Sequence, residues 1–300
     1  MTRTNTLAAS TIPLPRPAWL PEHVWPFEMF GLRTADSVLA VTDVGRGPVL
    51  LLVHTGTWSI IWRDLITRLA AEFRCVCFDA PGTGRSTLLP RTSVTLANAS
   101  RAVRAVIEAL DLRDLTLVAH DLGGPAGLAA IAQTPERIRG IVAMNTFGWR
   151  PHGPVLRGML ALMGSGLMRE LDVLTEFLPR ISSTSFGVGR HMDADSRAAF
   201  RAGMSQEARR AFHHYMRDAR QSDALYEQIS SALAGPFARL PLLTIFGERN
   251  DPFRFQRQWK RLFPGALQVV VKKGNHFPMC DAPDLVSQTI RVWHRDYVAA

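Results

Sequence analysis

The 300-residue sequence predicts an α/β protein, with a mostly parallel β-sheet flanked by helices and a helical segment inserted into it. Three observations support this class. Short, continuous apolar runs recur along the chain, as expected of strands that are covered on both faces of a sheet. Helical patterns separate most of these runs, and such alternation favours parallel strands. Strand patterns then stop between residues 150 and 235, where helical patterns replace them.

The strands are predicted from runs of aliphatic and β-branched residues. In chain order they cover residues 37–42, 49–53, 73–78, 115–119, 141–145, 242–246 and 267–271. Between the third and fourth runs, apolar residues recur at steps of three and four over residues 95–110, which predicts a helix with one apolar face. Residues 155–168 and 206–225 show similar patterns in the inserted segment.

These patterns divide the chain into three parts. Residues 1–25 are rich in proline and weakly patterned, which predicts an N-terminal arm on the surface. Residues 26–149 and 236–300 form the predicted core domain. Residues 150–235 form a predicted helical cap, which we call the cap segment.

Composition excludes several classes of function. No apolar run approaches the roughly 20 residues of a membrane span, and the N-terminus lacks a secretory signal pattern, so we expect a cytoplasmic protein without a membrane partner. The net charge of +9 comes from arginines scattered singly, without a nucleic-acid motif, so no nucleic-acid partner is expected. Cys75, Cys77 and Cys280 have the spacing of reduced structural thiols, and neither a metal nor a cofactor is predicted.

One motif places an acidic residue at a sharp turn from strand to helix. It covers residues 115–125 (LTLVAHDLGGP), with Asp121 at the turn. Gly123 and Gly124 leave room for a tight turn, and Pro125 suits the first turn of a helix. A carboxylate has a reference pKa near ~3.9, so Asp121 is ionised at neutral pH without a base. Asp121 is therefore a candidate nucleophile.

Other reactive residues follow strand ends. They lie in residues 54–58 (HTGTW), 248–251 (ERND) and 274–276 (GNH). In an open parallel sheet, such residues gather in the crevice beyond the carboxyl ends of the strands. The chain therefore offers a nucleophile, an acid and a histidine in that order.

This order, together with several motifs, resembles the α/β-hydrolases, in particular the haloalkane dehalogenase family. The similarity covers nearly the whole chain outside the cap segment. Its motifs are GRGPVLLLVH at residues 45–54, DAPGTGRS at 79–86, the turn at 115–125, NTFGW at 145–149 and HF at 276–277.

The resemblance implies a two-step hydrolysis of a small apolar organic substrate. Asp121 would attack a carbon and form an alkyl ester, and His276, oriented by Asp251, would activate the water that hydrolyses it. The backbone N–H groups of Leu122 and Gly56 would form the oxyanion hole.

Two departures concern the leaving group. The family carries a halide-binding tryptophan directly after the nucleophile, where this chain has Leu122. Many members also carry an asparagine donor in the loop at residues 54–58, which is absent here. Because one lost oxyanion donor costs roughly 100- to 1,000-fold in rate, the loss of both donors is expected to be comparably severe. Trp58 and Trp149 are candidate replacements.

The remaining assignments are open between site and core. The predicted substrate pocket contains Trp58, Phe147, Trp149 and Phe277, with packing in the core as the alternative. His120 is expected to be structural, and His54 is expected to brace its loop. Asn145 lies where some relatives carry the triad acid, and with Asp251 available we interpret it as structural or pocket-shaping.

Two further functions remain open at this stage. Epoxide hydrolases use the same triad and add cap tyrosines that bind the ring oxygen, but the cap segment has only Tyr215 and Tyr226, close together in sequence. The other alternative is a non-hydrolytic biosynthetic enzyme or a ligand-binding protein on the same fold.

Overall fold

The computed structural model describes residues 10–299, and its centre is one twisted β-sheet. The strands are β1 Thr11–Pro13, β2 Phe30–Arg33, β3 Ser37–Val44, β4 Val49–Val53, β5 Arg74–Phe78, β6 Thr87–Leu88, β7 Leu115–Asp121, β8 Ile138–Thr146, β9 Leu242–Gly247 and β10 Leu267–Val271. They lie in the order β1-β2-β3-β5-β4-β7-β8-β9-β10, and β6 pairs with β3.

The sheet is parallel from β5 to β10 along this order and antiparallel at the edge formed by β1, β2, β3 and β6. All seven predicted strands are present, and the predicted α/β class is confirmed. Sequence patterns missed β1, β2 and β6, because two to four residues are too few to show a period of two.

Helices cover both faces of the sheet. They are α1 Arg63–Leu69, α2 Leu96–Ala109, α3 Gly123–Ile131, α4 Pro154–Met163, α5 Gly166–Thr175, α6 Phe177–Ser182, α7 Ala194–Gly203, α8 Gln206–Asp218, α9 Asp223–Ala234, α10 Phe255–Leu262, α11 Pro278–Asp281 and α12 Pro283–Trp293. Helices α2 and α3 pack in the apolar core on one face, and α1 and α12 pack on the other.

Six helices, α4 to α9, lie between β8 and β9 and fall within the cap segment. The predicted helix at residues 155–168 is interrupted at Gly164, where a Cβ would collide with the backbone of Arg217. Ser165 then caps α5 by accepting a hydrogen bond from the backbone N–H of Met168. The predicted helix at residues 206–225 is likewise two helices, α8 and α9. Tertiary contacts, which the periodicity does not contain, decide these breaks.

The predicted N-terminal arm is packed against the core domain over residues 10–25, and residues 1–9 lie outside the described residues. Strand β1 pairs with β2 and extends the sheet. Leu20, Val24 and Trp25 are buried, and the Arg16 guanidinium donates to the backbone oxygen of Trp25. The prolines interrupt any regular period, so this packed segment resembles a loose one at the level of sequence.

Two features of residues 10–299 bear on partners. None of the helices there combines the length and the hydropathy that crossing a membrane requires. Within the same residues, no cluster of three or more histidine, cysteine or acidic side chains could hold a metal ion. The three cysteines are buried and unpaired.

Candidate active site

Asp121 lies at the junction of β7 and α3 with a left-handed backbone conformation, φ 51°. The turn is tight on both sides. A Cβ on Gly123 would collide with the backbone oxygen of Val53, and one on Gly124 with the hydroxyl of Thr146. The Thr146 hydroxyl also donates to the backbone oxygen of Asp121. These contacts hold an unusual conformation for a non-glycine residue at the carboxyl end of a central strand.

The environment of Asp121 favours its ionised form. Its side chain is 18% exposed, and burial by itself would raise its pKa. The interaction of Asp121 with protonated His276 outweighs burial and holds the pKa of Asp121 below its ordinary value. Asp121 is therefore a carboxylate across the physiological pH range.

His276 lies between Asp121 and Asn250. Its Nε2 is 3.8 Å from Asp121 Oδ2, and its Nδ1 is 2.8 Å from Asn250 Oδ1. Because an amide oxygen only accepts hydrogen bonds, the Nδ1 of His276 carries a proton, and Nε2 is the nitrogen that gains or loses one. In the protonated ring Nε2 faces the Asp121 carboxylate as a donor; in the neutral ring Nδ1 keeps its proton and Nε2 has the free lone pair. This is the tautomer that a general base beside Asp121 requires.

Asp251 does not orient His276, contrary to the sequence-based expectation. The Asp251 carboxylate accepts hydrogen bonds from the backbone N–H groups of Phe255, at 2.6 Å, and Gln256, at 3.0 Å. It therefore caps the first turn of α10, where unpaired N–H groups attract a carboxylate. The loop after β9 turns so that Asn250, one residue earlier, faces the histidine instead.

Asn145 fixes the orientation of the Asn250 amide. Asn145 Nδ2 donates to the backbone oxygens of Asn275 and His276, both at 2.9 Å, and its Oδ1 accepts from the Gly247 N–H. The same Nδ2 lies 3.3 Å from Asn250 Oδ1. Because Asn145 is held as a donor at this point, Asn250 presents its oxygen to both neighbours. Asn145 therefore supports the histidine loop and lines the cavity.

His54, His120 and His276 form a chain beside the nucleophile. His120 Nε2 donates to the backbone oxygen of His276 at 2.7 Å, and His120 Nδ1 is 3.0 Å from His54 Nδ1. His54 Nδ1 therefore carries a proton, and its buried Nε2 has no hydrogen-bond partner among the described residues. Burial lowers the pKa of His54 to about 4 and also lowers that of His120, so both rings are neutral.

A cavity of about 360 Å³ lies in front of Asp121. The core domain contributes polar groups near the nucleophile together with Phe147 and Phe277, two residues expected in the pocket. The cap segment contributes an almost wholly apolar wall: Leu156, Met159, Leu160, Met163, Leu178, Ser182, Phe200, Met204, Phe212 and Met216. Such a wall favours an apolar substrate.

Trp58 and Trp149, also expected in the pocket, do not line this cavity. Trp58 is buried and its indole N–H donates to the backbone oxygen of Phe200 at 3.1 Å. Trp149 packs edge-to-face against Trp259, with ring centroids 5.0 Å apart. Both are core residues, because large aromatic side chains fill the space between the sheet and its covering helices.

Gly56 and Leu122, the expected oxyanion-hole residues, both line the cavity beside Asp121. A Cβ on Gly56 would lie 3.4 Å from Asp121 Oδ2 and 3.2 Å from the Phe212 ring, so the loop approaches the carboxylate closely. Leu122 precedes α3, where the backbone N–H groups at a helix start favour negative charge. Its side chain is buried and has no donor.

The two cap tyrosines lie away from the cavity. The Tyr215 hydroxyl donates to the backbone oxygen of Pro81 at 2.9 Å, and the Tyr226 hydroxyl donates to that of Ala219 at 3.0 Å. Burial raises the pKa of both tyrosines. Neither hydroxyl is available to an epoxide oxygen in front of Asp121.

Sequence reasoning missed Asn250 and Phe212. Asn250 precedes the predicted acid by one residue, and only the direction of the loop distinguishes the two side chains. Phe212 lies in α8 and faces Gly56 across the cavity. The apolar period of α8 marks an inner face but does not say that this face covers the nucleophile.

Known proteins share this architecture. The family model of the alpha/beta hydrolase fold matches residues 48–283. Haloalkane dehalogenase 2 of Mycobacterium tuberculosis (strain ATCC 25618 / H37Rv) is 25% identical over 278 residues, covering 89% of this chain and 95% of the relative. A cis-3-alkyl-4-alkyloxetan-2-one decarboxylase of Shewanella oneidensis is 27% identical over 286 residues, covering 89% and 88%.

A haloalkane dehalogenase from Bradyrhizobium elkani USDA94 superimposes with a TM-score of 0.75 at 19% identity, covering 89% of this chain and 97% of that structure. At this identity the structural likeness concerns the fold. The sequence relatives and the family model agree with the resemblance found in the motifs.

Proposed function

The chain belongs to the α/β hydrolase fold family, and from that premise we propose that it is a hydrolase that forms a covalent alkyl ester between Asp121 and an apolar substrate. One observation supports this most strongly. An ionised aspartate at the strand-to-helix turn faces the Nε2 of His276 inside a cavity that is otherwise largely apolar.

In the first step, an oxygen of Asp121 attacks a saturated carbon in line with its leaving group. The new C–O bond forms as the leaving group departs with its electron pair. In the second step, His276 Nε2 takes a proton from water, and the resulting hydroxide adds to the carbonyl carbon of the Asp121 ester. The backbone N–H groups of Leu122 and Gly56 are the proposed donors to the resulting oxyanion. Its collapse breaks the C–O bond to the alkoxide, which takes the proton from His276 Nε2 and leaves as an alcohol. The Asp121 carboxyl then releases its remaining proton to solvent, which restores the carboxylate.

For a halide substrate, stabilisation of the departing halide has the least support from the side chains around the cavity. Leu122 has no donor, and the indole N–H of Trp58 is already bonded to Phe200. Among the described residues that line the cavity, none is a tryptophan. We therefore expect bromide and iodide, which need less stabilisation than chloride, to be the better halide leaving groups.

A second candidate is ring opening of an oxetan-2-one, the substrate class in the name of the Shewanella oneidensis relative. Asp121 would attack the saturated ring carbon that is bonded to the ring oxygen. The bond between this carbon and the ring oxygen would break, and the former lactone group would become a carboxylate on the same molecule. Loss of carbon dioxide would then expel Asp121 and form an alkene. This route needs no halide donor and no activated water, and two alkyl groups suit the apolar wall.

An amide in place of a carboxylate at the Nδ1 of His276 favours this second candidate. Asp251, the expected triad acid, caps α10, and Asn145, where some relatives carry that acid, and Asn250 present amides to the histidine loop. An amide orients the ring but does not stabilise its protonated form as a carboxylate does. A reaction that expels Asp121 without water makes no such demand on the histidine.

Single turnover in heavy-oxygen water tests both candidates. The enzyme, in excess, is mixed with 1-bromohexane, a dialkyl oxetan-2-one or a dialkyl epoxide. The mass of the peptide that contains Asp121 is then measured by mass spectrometry. Ester hydrolysis places one heavy oxygen in the Asp121 carboxylate, whereas alkene formation leaves it unlabelled. The products identify the substrate class as bromide and alcohol, alkene and carbon dioxide, or diol.

Two variants provide the controls. Asp121→Asn should lose all reactions, because an amide is a poor nucleophile. His276→Phe should still form the ester and accumulate it as a mass increase on the Asp121 peptide, since only the water step needs the base. Full activity in Asp121→Asn would exclude the nucleophile assignment and both candidates with it.

A further inference from the structure

The cap segment carries an unusual share of the exposed apolar side chains. Among the described residues, thirteen large hydrophobic side chains are exposed, and eight of them fall between residues 155 and 186. They are Val155, Met159, Leu162, Leu167, Leu171, Leu174, Ile181 and Phe186. Such a concentration on one part of the surface indicates an interaction site.

Six of these side chains form two stripes of three, one on each of two consecutive helices. On α4 the exposed residues are Val155, Met159 and Leu162. Leu167, Leu171 and Leu174 repeat the same spacing of four and three on α5, and this spacing places each set on one side of its helix. We call the two stripes together the outer cap face.

Helix α4 is apolar on the adjacent side as well. Leu156 and Leu160 are buried there, about a third of a turn around the helix, and line the cavity in front of Asp121. Apolar residues thus cover more of α4 than the side that packs on the cavity, and so wide an apolar surface is normally covered. The exposed side of α4 is therefore expected to be covered by another molecule.

The charged residues around the outer cap face are predominantly basic. Glu170 is paired with two arginines, Arg169 at 2.9 Å and Arg210 at 3.2 Å. Glu176 is likewise within 3.9 Å of Arg180 and 3.5 Å of Arg209.

Arg157, which is exposed on α4 itself, forms none of the ion pairs found among residues 10–299. Four arginines that are at least partly exposed, Arg157, Arg169, Arg180 and Arg210, therefore surround two glutamates, and the fifth, Arg209, is buried beneath them. This basic rim complements a negatively charged surface.

We propose that the outer cap face docks the protein onto the surface of a lipid bilayer that contains anionic headgroups. The stripes would enter the boundary between headgroups and acyl chains, and the basic rim would contact the headgroups. A bilayer surface requires a helix to lie in its plane and not to cross it, so docking does not depend on a spanning helix, and residues 10–299 contain none. The proposal departs from the sequence-based expectation of no membrane partner, which rested on the lack of an apolar run long enough to span.

Two observations favour a lipid surface over a second copy of the chain. In a symmetric dimer built on this face, the basic rims would face each other and repel. Met159 is also both exposed and part of the cavity wall. A folded partner would cover this edge of the cavity, whereas lipid would place apolar molecules beside it.

Sedimentation with vesicles tests this proposal on the full chain. Vesicles of phosphatidylcholine with about a third phosphatidylglycerol are compared with phosphatidylcholine alone, at low and high salt. We expect binding to the anionic vesicles, weakened by salt because screening removes the headgroup contribution. The double variant Leu167→Gln, Leu174→Gln should lower the partition coefficient at least about tenfold, because two exposed leucines no longer enter the lipid.

The matched control is the double variant Leu262→Gln, Leu285→Gln, which changes two exposed leucines on α10 and α12, outside the cap segment. It should bind vesicles as the unchanged protein does, and circular dichroism should show all three proteins folded. An equal loss of vesicle binding in the cap variant and in the control variant would overturn the proposal. So would a lack of vesicle binding by the unchanged protein. A dimer in solution that the cap variant alone dissociates, without vesicle binding, would assign the face to a second copy and also overturn it.

Discussion

The partner of His276 is an amide where a carboxylate was expected. Asn250 Oδ1 accepts from the histidine Nδ1 at 2.8 Å, and Asn145 holds the amide in this orientation. The ring is therefore positioned as a base, but its protonated form lacks a carboxylate partner at Nδ1. Asp121 Oδ2, 3.8 Å from Nε2, is the acid nearest to hydrogen-bonding distance of the ring. Once Asp121 is esterified, that negative charge is lost as well.

This difference predicts the behaviour of Asn250→Asp. A carboxylate at residue 250 should stabilise the protonated ring of His276, because its negative charge faces Nδ1. Hydrolysis of the Asp121 ester should accelerate at least about tenfold at neutral pH, and the acid limb of its pH profile should move upward. Rapid-quench measurement of ester decay against pH records both quantities.

Asp251→Ala is the matched control for this prediction. It removes a carboxylate from the neighbouring residue, but one that caps α10 and does not touch His276. It should lower the free energy of unfolding by about 1 kcal/mol and leave the acid limb in place. A shifted acid limb in Asp251→Ala, with none in Asn250→Asp, would return the role of the third residue to Asp251.

At the scale of elements, the site depends on loops that follow the parallel strands and are tied to one another. The loop after β5 is held by Asp79, which is almost wholly buried. Its carboxylate accepts from the N–H and hydroxyl of Ser59, at 2.8 and 2.7 Å, and from the Arg85 N–H at 2.8 Å. Asp79 thus connects the loop after β5 to the turn that follows residues 54–58. Burial raises its pKa, and the three hydrogen bonds oppose that rise.

Asp79→Ala should therefore destabilise the fold. The substitution leaves three buried donors without an acceptor, and we expect the free energy of unfolding to fall by about 2–4 kcal/mol. Asp79→Asn keeps one acceptor oxygen and should lose less. Urea denaturation followed by tryptophan fluorescence measures both variants, and an equal, negligible loss in the two would show that these hydrogen bonds do not stabilise the loops.

At the scale of the whole molecule, the N-terminal segment packs beside the contacts that join the core domain to the cap segment. Trp25 is fully buried and packs near Trp58, with ring centroids 6.3 Å apart. Trp58 in turn donates to the backbone oxygen of Phe200 in α7. The Arg63 guanidinium makes a second connection, to the Ser196 hydroxyl at 2.7 Å. Residues that the sequence suggested were peripheral thus contribute to the position of the cavity wall.

Trp25→Ala distinguishes a packed segment from a surface arm. Loss of a fully buried indole should lower the free energy of unfolding by about 3–5 kcal/mol, through lost burial and the cavity it leaves. A tryptophan on a loose arm would change it by no more than about 0.5 kcal/mol. Thermal and urea unfolding measure the difference. Trp19→Ala, a partly exposed neighbour in the same segment, serves for comparison and should cost less.

The predictability of the site differs from residue to residue. Asp121 could be located because the turn needs small residues at fixed positions around it, and those residues are visible in sequence. Asp251 is the expected partner of His276 because a carboxylate is the usual partner of histidine, whereas Asn250 beside it carries an amide. Which of two adjacent side chains faces the ring depends on the direction of the loop, which α10 decides by taking Asp251 as its cap.

The tryptophans show the same limit. Trp58 and Trp149 stand beside motif residues in sequence, yet both lie in the core, since the space available to a large ring depends on elements far apart in the chain. The inner wall of the cap segment and its exposed outer face are also products of packing. Periodicity identified apolar faces on these helices without saying what each face contacts.

By itself, the sequence determined the α/β class, the order of the parallel strands along the chain and the turn that carries Asp121. These features follow from local patterns of apolar residues and from the steric demands of a tight turn. Only the tertiary structure decided that Asn250 orients His276, that the N-terminal segment is packed, and that the cap segment exposes apolar stripes. The physical reason is that each of these depends on contacts between residues distant in sequence, which no local pattern contains.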